Sequence, residues 1–366
     1  MPEQLVNYQC PNCGGPLKWD AGLQKLHCDY CGSSFTEEET EAYYRKKEEA
    51  AAEAGAQAYA EEAGEWSDSA PDGMKAYHCP SCGAELIADE NTAVTTCPYC
   101  NNPTVISAQF KVKQPKYVLP FQVTKEQAET RLQEFYQKKP FLPHAFSNRN
   151  HIQEVKGVYV PFWLYSGTLA ADCTYHCTRT RQFSQGDYMV TETDHFKAVR
   201  RGDVSFQRVP ADASSKMPDT YMDALEPFDY RKLENFSSAY MPGYLADSYD
   251  IDSRESQKRT DERMIHSTLA LLNSTVAGYV SVIPERQDVY RKEGTAEYVF
   301  LPVWLLSTQF EGKNYLFAVN GQSGKTVGDL PADTGKFIRT IVILTLISFA
   351  IIALILYFLI ARGGTI

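Results

Sequence analysis

The chain has 366 residues, of which 43% are hydrophobic and 22% are charged, and its formal net charge is −10. At about 150 residues per domain, this length predicts two or three folded units. The composition excludes wholesale disorder, a collagen-like chain and a polytopic membrane protein. The negative charge opposes non-specific binding to nucleic-acid phosphates or anionic lipid, so a nucleic-acid partner would require a local basic face.

Eight of the ten cysteines form four Cys-x2-Cys pairs, and fourteen residues separate the two pairs in each half of the set. The pairs are Cys10 and Cys13, Cys28 and Cys31, Cys79 and Cys82, and Cys97 and Cys100. The first residues, MPEQLVNYQC, contain no basic stretch followed by an apolar run, so we expect no export signal. The thiols are then expected to stay reduced.

Two facing Cys-x2-Cys turns place four thiolates at the corners of a tetrahedron, which suits Zn2+ at about 2.3 Å per bond. Glycine and proline residues near the ligands favour the tight turns that this requires: Pro11, Gly14, Gly15, Gly32, Pro80, Gly83 and Pro98. A disulfide pair or a redox-active Cys-x2-Cys are the alternatives, but neither predicts the same four-cysteine spacing twice.

The sequence therefore predicts two structural Zn2+ ions, one in each of two zinc ribbons at residues 1–35 and 74–110. Four thiolates close each site and leave no position for water or substrate, so we expect these metals to fold their modules without catalysing a reaction. His27 and His78 are each next to a predicted ligand, and we expect both at the surface.

Residues 36–73 are predicted to be a charged helical linker. Thr36 and Glu39 form a capping box, in which a hydroxyl and a carboxylate satisfy free backbone N–H groups of the first turn. The helix lacks a continuous apolar face, which leaves two interpretations: a solvated spacer or a partner-binding helix. The sequence SDSAPDG at 67–73 predicts a flexible joint.

Residues 111–335 are predicted to form a mixed domain of helices and antiparallel sheet, so the fold class is α+β. A second capping box begins at Thr124 with Gln127 and predicts a helix to about Lys138. Alternating or apolar runs predict strands at 157–165, 188–196 and 298–306, and a second long helix is expected over Arg254–Leu272.

A sequence echo links Val158–Leu164 to Val299–Leu305, since both runs place proline and tryptophan at the same positions. A duplicated unit of helix and antiparallel sheet would explain this echo. Strands of this kind also arise in unrelated cores, so coincidence is the alternative.

The segment Ile341–Ile360 contains no charged residue, and twenty helical residues span about 30 Å, the thickness of the bilayer hydrocarbon core. We predict a transmembrane helix at 337–361 in a tail-anchor arrangement; a buried C-terminal helix is the alternative. Lys336 and Arg339 against Arg362 give a slight positive-inside preference. Together with reduced thiols, this predicts a single-pass cell-membrane protein whose N-terminal bulk is cytoplasmic.

Three other patterns suggest catalysis and are interpreted otherwise. The sequence GQSGKT resembles a phosphate-binding loop, but Val319 stands where the first glycine is required, so we predict a hairpin turn. Cys173, Cys177, His176 and His195 could form a thiol–base pair or a third metal site, although buried free thiols are the preferred interpretation. The carboxylates Asp247, Asp250 and Asp252 suggest a solvated loop.

These features together resemble bacterial membrane-anchored zinc-ribbon proteins, often described as TFIIB-type zinc-ribbon or primosomal-helicase-related. The resemblance rests on the two four-cysteine ribbons, the VPFW and LPVWLL strands, the VNGQSGK turn that leads into GDLP, and the terminal apolar helix. No helicase motor motif is present, so only the cysteine module could be shared with a helicase. The resemblance implies an envelope-stress or phage-shock setting, with phage-shock protein A and a stomatin/prohibitin/flotillin-type protein as partners.

Local charge separates the remaining hypotheses on function. Lys18 and Lys25 are outnumbered by acidic residues in the first ribbon, and residues 77–110 contain acidic residues but no lysine or arginine. A zinc ion with four thiolates adds about two further negative charges, which disfavours phosphate contacts. We therefore expect a non-enzymatic, membrane-tethered adaptor that binds proteins. The alternatives are a membrane-bound regulator that reads nucleic acid and an enzyme with its site in residues 111–335.

Overall fold

The computed structural model describes residues 5–6, 8–55, 74–78, 85–89, 92–96, 103–106, 114–137, 139–143, 145–146 and 154–363. Five α-helices occur in these residues: α1 Glu37–Gly55, α2 Lys125–Gln137, α3 Asp219–Leu225, α4 Ser253–Ser274 and α5 Thr334–Gly363. Short 3-10 helices occur at Tyr230–Lys232 and Ser238–Tyr240. With the strands below, these helices give the predicted α+β class.

The N-terminal unit is built from short strands. They are β1 Leu5–Val6, β2 Leu17–Asp20, β3 Lys25–Cys28 and β4 Ser34–Phe35. Strands β2, β3 and β4 form a three-stranded antiparallel sheet. The predicted capping box begins α1, because Thr36 N donates to Glu39 Oε2 at 2.8 Å and Glu39 N donates to Thr36 Oγ1 at 3.3 Å.

The beginning of α1 packs against this sheet unit instead of extending into solvent. Thr40 is fully buried, and the ring of Tyr44 packs edge-to-face on Tyr8 with centroids 5.1 Å apart. The Tyr44 hydroxyl also donates to the carbonyl of Gln9 at 2.7 Å. The first turns of the predicted linker are therefore part of the folded N-terminal unit.

Four further strands belong to the predicted second ribbon: β5 Met74–His78, β6 Glu85–Asp89, β7 Thr92–Thr96 and β8 Pro103–Ile106. Strands β5 and β6 pair antiparallel, as do β7 and β8. Strand β1 pairs with β8, so the N-terminal strand reaches this unit.

Three long strands dominate the large domain: β10 Glu154–Gln185, β11 Tyr188–Asp212 and β14 Ser281–Phe310. Shorter strands complete its sheet: β9 Tyr117–Val118, β12 Glu234–Asn235, β13 Leu245–Asp247, β15 Lys313–Asn320 and β16 Thr326–Gly328. The order of the mixed sheet is β1-β8-β7-β13-β10-β14-β15-β16, with β11 beside β10 and with β9 between β12 and β14. All three predicted strands and the helix predicted at Arg254–Leu272 lie within these elements.

The two echoing segments of the sequence are neighbours in this sheet. Val160 pairs with Leu301, its own counterpart in the echo, in the antiparallel ladder between β10 and β14. Strand β9 runs parallel to β14, and β13 runs parallel to β10. Each half therefore has the same order of a short strand, a helix and a long hairpin, and each short strand pairs with the long strand of the other half. This arrangement favours the duplicated-unit interpretation.

Beyond the centre of the sheet, β10, β11 and β14 continue as a three-stranded arm, which comprises residues 167–178, 195–206 and 281–294. Helix α4 covers one face of the arm. Leu272 and Val276 pack there with Cys173, Tyr175 and Cys177 in one buried cluster. The opposite face of the arm is open and charged, with ion pairs such as Arg201 to Asp172 at 2.8 Å.

Helix α5 begins on the sheet domain and then leaves it. The carbonyl of Leu142 accepts a hydrogen bond from Lys336 Nζ at 2.6 Å, and the rings of Phe141 and Phe337 pack 5.5 Å apart. From Ile341 to Ile355 every side chain is exposed. The segment Thr334–Ile355 has a mean hydropathy of 2.6, and its apolar stretch contains no buried residue. This helix is long and apolar enough to cross a membrane, and it is not the core helix of the alternative interpretation.

Candidate metal centre

Four cysteines predicted as ligands meet in the N-terminal unit. The Sγ atoms of Cys10, Cys13, Cys28 and Cys31 all lie within 4.8 Å of one another. The Sγ atoms of Cys10 and Cys31 are 3.5 Å apart, as are those of Cys13 and Cys28. Tetrahedral Zn2+ with bonds of about 2.3 Å requires sulfur–sulfur separations of about 3.8 Å. The four thiols therefore fit a tetrahedral zinc ion with small shifts, and a metal such as zinc could bind here.

The two halves of the cluster have the same local geometry. In the first, Cys10 N donates to the Gly15 carbonyl at 2.6 Å and Gly14 N donates to the Cys10 carbonyl at 2.8 Å. In the second, Cys28 N donates to the Ser33 carbonyl and Gly32 N donates to the Cys28 carbonyl, both at 2.9 Å. Two equivalent turns thus present their sulfurs to a common centre.

Each turn depends on a glycine directly after its second cysteine. Gly14 has φ +73° and Gly32 has φ +72°, in the left-handed region that costs other residues about 1 kcal/mol or more. An added Cβ would meet no atom within 4 Å at either position. The backbone conformation, and not the available space, therefore requires glycine here.

The pKa values of three thiols of the cluster are shifted, that of Cys31 downward and those of Cys10 and Cys13 upward. Hydrogen bonds from the side chain and backbone of Ser33 lower the pKa of the Cys31 thiol to about 6. Burial raises the pKa of the Cys10 thiol. A divalent cation would stabilise all four thiolates at once, because its positive charge offsets the repulsion among the four negatively charged sulfurs.

The four cysteine ligands suit a structural metal ion and not a metal ion that binds a substrate. Four sulfurs complete a tetrahedral site, and a closed thiolate site has no position for a reacting water. His27 does not belong to the cluster, since its Nδ1 lies 2.9 Å from Ser34 Oγ at the surface. The prediction that His27 is a surface residue is confirmed.

The four-cysteine unit is docked on the large domain. The rings of Trp19 and Tyr240 pack edge-to-face with centroids 4.6 Å apart, and Trp19 N donates to the Pro242 carbonyl at 2.7 Å. Gln24 Nε2 donates to the Phe121 carbonyl at 2.6 Å. Cys10, Leu17, Leu26 and Cys28 belong to the same buried cluster as the core of the large domain, so the metal site and the sheet share one hydrophobic core.

The sequence does not distinguish Trp19 as a residue that holds the ribbon in place. The feature that could have indicated this role is an aromatic residue in a small module. Such a module needs little core of its own once a metal is bound, so the aromatic side chain is available to pack against another domain. Trp19 is 7% exposed, and this burial depends on contacts made by residues distant in the sequence. The contact partners, Tyr240 and Pro242, carry no sequence signal for docking.

The second set of predicted ligands, Cys79, Cys82, Cys97 and Cys100, lies outside the described residues. Among the residues that are described, one four-cysteine cluster is present. The strands on either side of the second set are described, and β7 pairs with β13 of the large domain through Val94 and Ala246. The second predicted ribbon therefore adds strands to the central sheet, while its zinc ion remains a prediction.

The thiols and imidazoles of the arm lie on opposite faces. Cys173 and Cys177 are fully buried on the face covered by α4. Because side chains alternate along a strand, His176 lies on the open face, where its Nε2 is 2.9 Å from Nδ1 of His195. A thiol–imidazole pair cannot form across the sheet, so these four residues do not make the catalytic cluster that was considered. The preferred interpretation of buried free thiols is confirmed.

The other two patterns also have structural explanations. Residues 321–325 form the turn between β15 and β16, where Asn320 Oδ1 accepts hydrogen bonds from the backbone of Gln322 and Ser323, both at 2.9 Å. Asp252 caps α4, and Asp250 accepts a hydrogen bond from Ser215 N at 2.8 Å. The hairpin prediction for GQSGKT is confirmed, and these carboxylates have structural partners.

Comparison with known proteins gives one informative similarity. Over 333 residues the chain is 34% identical to the uncharacterized protein YdjG of Bacillus subtilis strain 168, and the alignment covers 91% of this chain and 92% of that protein. No family profile matches the chain, and no solved structure matches it. The similarity therefore extends over most of both chains.

Proposed function

The chain belongs to the same family as YdjG of Bacillus subtilis, and from this premise we propose that it is a membrane-tethered cytoplasmic adaptor. Its zinc ribbons recruit or assemble protein partners at the membrane. The family resemblance of the motifs adds an envelope-stress setting to the proposal, with phage-shock protein A and a stomatin/prohibitin/flotillin-type protein as partners. The proposal includes no catalytic activity.

The observation that carries the proposal is the closed four-thiol cluster in a ribbon that shares its core with the domain leading into α5. A closed site supports folding of a recognition module, because the metal has no free position for a substrate. The shared core fixes that module relative to the root of α5. The molecule can therefore present the ribbon at a defined position above a membrane.

In this proposal α5 crosses the cell membrane once and the remainder is cytoplasmic. Its exposed apolar side chains favour insertion into lipid, since leaving them in water is costly. Thiolate zinc sites favour a reducing compartment, which supports a cytoplasmic location for the ribbons. In this proposal a second structural Zn2+ is bound by Cys79, Cys82, Cys97 and Cys100. Their spacing, which is identical to that of the first set, supports this assignment.

Tethering supplies an energetic reason for such an adaptor. Confinement to the membrane converts later binding steps into nearly intramolecular ones, and this raises overall affinity without new contacts. A ribbon that binds only weakly in solution can thus hold a partner at the bilayer. Local charge favours a protein partner, because Lys18, one of two lysines in the first ribbon, lies 2.8 Å from Asp29, whose negative charge offsets its attraction for phosphate.

The test uses the full-length chain with an affinity tag, expressed in its native membranes and crosslinked before solubilisation. The proposal predicts co-purification of the two named partner types. Substitution Cys10→Ser together with Cys79→Ser removes a ligand from each zinc site and is expected to reduce their recovery at least tenfold. Cys173→Ala, which changes a buried thiol outside the cluster, is the matched control and is expected to leave recovery unchanged. Equal recovery with all three chains would show that the ribbons are not the recognition elements.

A further inference from the structure

The outer edge of strand β11 has no strand beside it in the described part of the chain. The strand is 25 residues long and pairs with β10 alone. From Gly167 opposite Phe206 to Gln185 opposite Tyr188 this pairing continues without a bulge. The other side of β11 therefore presents a long row of backbone N–H and C=O groups to which none of the described strands is added. Such an edge is a template for a further strand, and native proteins rarely leave one uncovered.

The opposite edge of the arm is formed by β14, and it has features that oppose the addition of a strand. Pro284 lies in the arm segment 281–294 of this strand and has no backbone N–H group to donate. The register between β10 and β14 also shifts twice within the arm. Proline residues and bulges are common means of protecting an edge strand. Residues 188–206 of β11 contain no proline, and their ladder with β10 contains no bulge.

Charge is distributed unevenly along β11. Its first part contains Glu192 and Asp194, and the basic residues Lys197, Arg200 and Arg201 follow. When two copies of this strand pair antiparallel, the acidic part of each copy lies beside the basic part of the other. A parallel pair would instead place like charges beside each other, which is destabilising. The β11 edge is thus complementary to itself in the antiparallel direction.

A two-fold axis through Phe196 gives the most favourable register. Residues directly opposite each other share a face of the sheet, so the axis passes through a residue and not between two residues. With Phe196 on the axis, Glu192 of each copy lies opposite Arg200 of the other. Among axes at residues 193–201, this one alone pairs opposite charges without also pairing like charges. An axis at Lys197, for example, places the two copies of that lysine opposite each other.

The two charged side chains keep capacity for this contact. Glu192 Oε2 lies 2.5 Å from Arg181 Nη2, and a carboxylate can accept hydrogen bonds from a second guanidinium. Arg200 donates to Thr275 and to the Val199 carbonyl. Further N–H groups of its guanidinium remain for a carboxylate of another chain.

We propose that two copies of the chain join edge to edge through β11, antiparallel and with Phe196 on the two-fold axis. The two arms then form one sheet in the order β14-β10-β11-β11-β10-β14, and each β11 edge covers the other. Both copies of α4 lie on the same face of this sheet, because the axis is perpendicular to it. The inference rests on the membrane tether of the proposed function, since confinement to one bilayer raises the effective concentration of the copies.

Two other occupants fit the edge less well. A strand of another protein would need its own charge order matched to β11, whereas a second copy supplies the matching order by symmetry. A head-to-tail assembly would bring β11 of one copy to the β14 edge of the next, where Pro284 and the bulges interrupt pairing. The charge order and the unprotected edge therefore both favour the two-fold pair.

The first test is disulfide trapping of the full-length, zinc-loaded chain in native membranes. Thr193→Cys and Val199→Cys in one chain place new thiols opposite each other across the interface, on the open face where both positions are exposed. Mild oxidation should give at least tenfold more covalent dimer than either substitution alone, because the new thiols of a single variant are about 20 Å apart. Thr193→Cys with Lys197→Cys is the matched control for register and should give no more dimer than the single variants.

The second test counts copies without new cysteines. The full-length chain carries one fluorescent label, is excised with its lipid from native membranes at low density, and is counted by stepwise photobleaching. Two steps are expected. Glu192→Arg places like charges opposite each other and should at least halve the two-step fraction. Glu192→Arg combined with Arg200→Glu restores opposite charges and should restore that fraction.

The inference is overturned by equal trapping in the paired and single variants, by stronger trapping in the register control, or by trapping of a different protein. Single-step bleaching of the unmodified chain, or a two-step fraction that does not respond to the charge reversal, would also overturn it. A single-copy chain that still recruits partners through its ribbon cysteines would leave the adaptor function intact. Release of the chain from membranes by carbonate washing would instead contradict the tether of the proposed function, so the two proposals fail in distinguishable ways.

Discussion

The indole of Trp19 packs edge-to-face on the ring of Tyr240, with centroids 4.6 Å apart, and joins the four-cysteine ribbon to the sheet domain. The two residues are far apart in the sequence, and their contact lies in the largest buried cluster of the described chain. The ribbon supplies a packing partner for Tyr240, and the sheet domain supplies a core that the small ribbon lacks. If a metal binds the four cysteines, metal binding and domain packing are therefore expected to stabilise each other.

Substitution Trp19→Ala should weaken this junction strongly. Removal of a buried tryptophan costs about 3–5 kcal/mol in other proteins, and Trp19 is 7% exposed. We expect faster amide hydrogen exchange in β2, β3 and the segment around Tyr240, measured by mass spectrometry on the zinc-loaded full-length chain. Tyr30→Ala is the control, because Tyr30 is 78% exposed and should change exchange little. Unchanged exchange in Trp19→Ala would mean that the contact does not hold the ribbon.

Substitution Gly32→Ala should weaken metal binding through the backbone alone. Alanine in the left-handed conformation costs about 1–2 kcal/mol, whereas the added methyl group meets no atom within 4 Å. This corresponds to a loss of zinc affinity of about tenfold, measured by competition with a chromophoric chelator.

The matched control for this prediction is Gly202→Ala. Its Cβ also meets no atom within 4 Å, but its φ is outside the left-handed region. Zinc affinity should be unchanged in this variant. Equal affinity of the Gly32→Ala chain and the unmodified chain would contradict the role assigned to the turn.

The stability of the α4 region should depend on pH through Asp212. Burial, and then the neighbouring Asp219, raise the pKa of Asp212 to about 6 from an ordinary value of 3.8. Its side chain is fully buried, with Oδ1 accepting from Arg259 at 2.9 Å and Oδ2 without a partner in the described part of the chain. Between these pKa values the folded state binds more protons than the unfolded state, so the free energy of unfolding falls as pH rises from about 4 to 6.

Urea unfolding of the full-length chain and of Asp212→Asn in the same lipid nanodiscs checks this sign. The difference in unfolding free energy between the two should shift by at most about 3 kcal/mol across that interval, with the unmodified chain losing stability as pH rises. Comparison of the two chains removes the pH dependence of the zinc sites, which both retain. A stability difference that is constant with pH, or that changes in the opposite direction, would contradict the assignment.

Local features of this fold could be predicted from the sequence because their causes are local. The capping boxes at Thr36 and Thr124 start their helices as predicted, since donor and acceptor are three residues apart. The spacing of Cys10, Cys13, Cys28 and Cys31 predicts their cluster because turn geometry fixes each pair. The apolar run that ends at Ile360 predicts α5, because the length and hydropathy of a segment are also local properties of the sequence.

The remaining features depend on long-range contacts that no local pattern contains. The pairing of Val160 with Leu301 required the two halves of the domain to come together, and the echo suggested only that they are related. The docking of Trp19 and the extension of the arm beyond Thr178 depend on which strands stop pairing and where. The position of His176 and Cys177 on opposite faces follows from strand alternation, but only once the strand is established.

Metal content is the most direct test of the central claim that closed four-thiol sites fold the ribbons of a membrane-tethered adaptor. Zinc should be measured by inductively coupled plasma mass spectrometry on the full-length chain, purified from membranes without added metal. The account predicts two zinc ions per chain, one after Cys79→Ser with Cys97→Ser, and one after Cys10→Ser with Cys28→Ser. A full-length chain that is folded, retained in membranes after carbonate washing and free of zinc would contradict it.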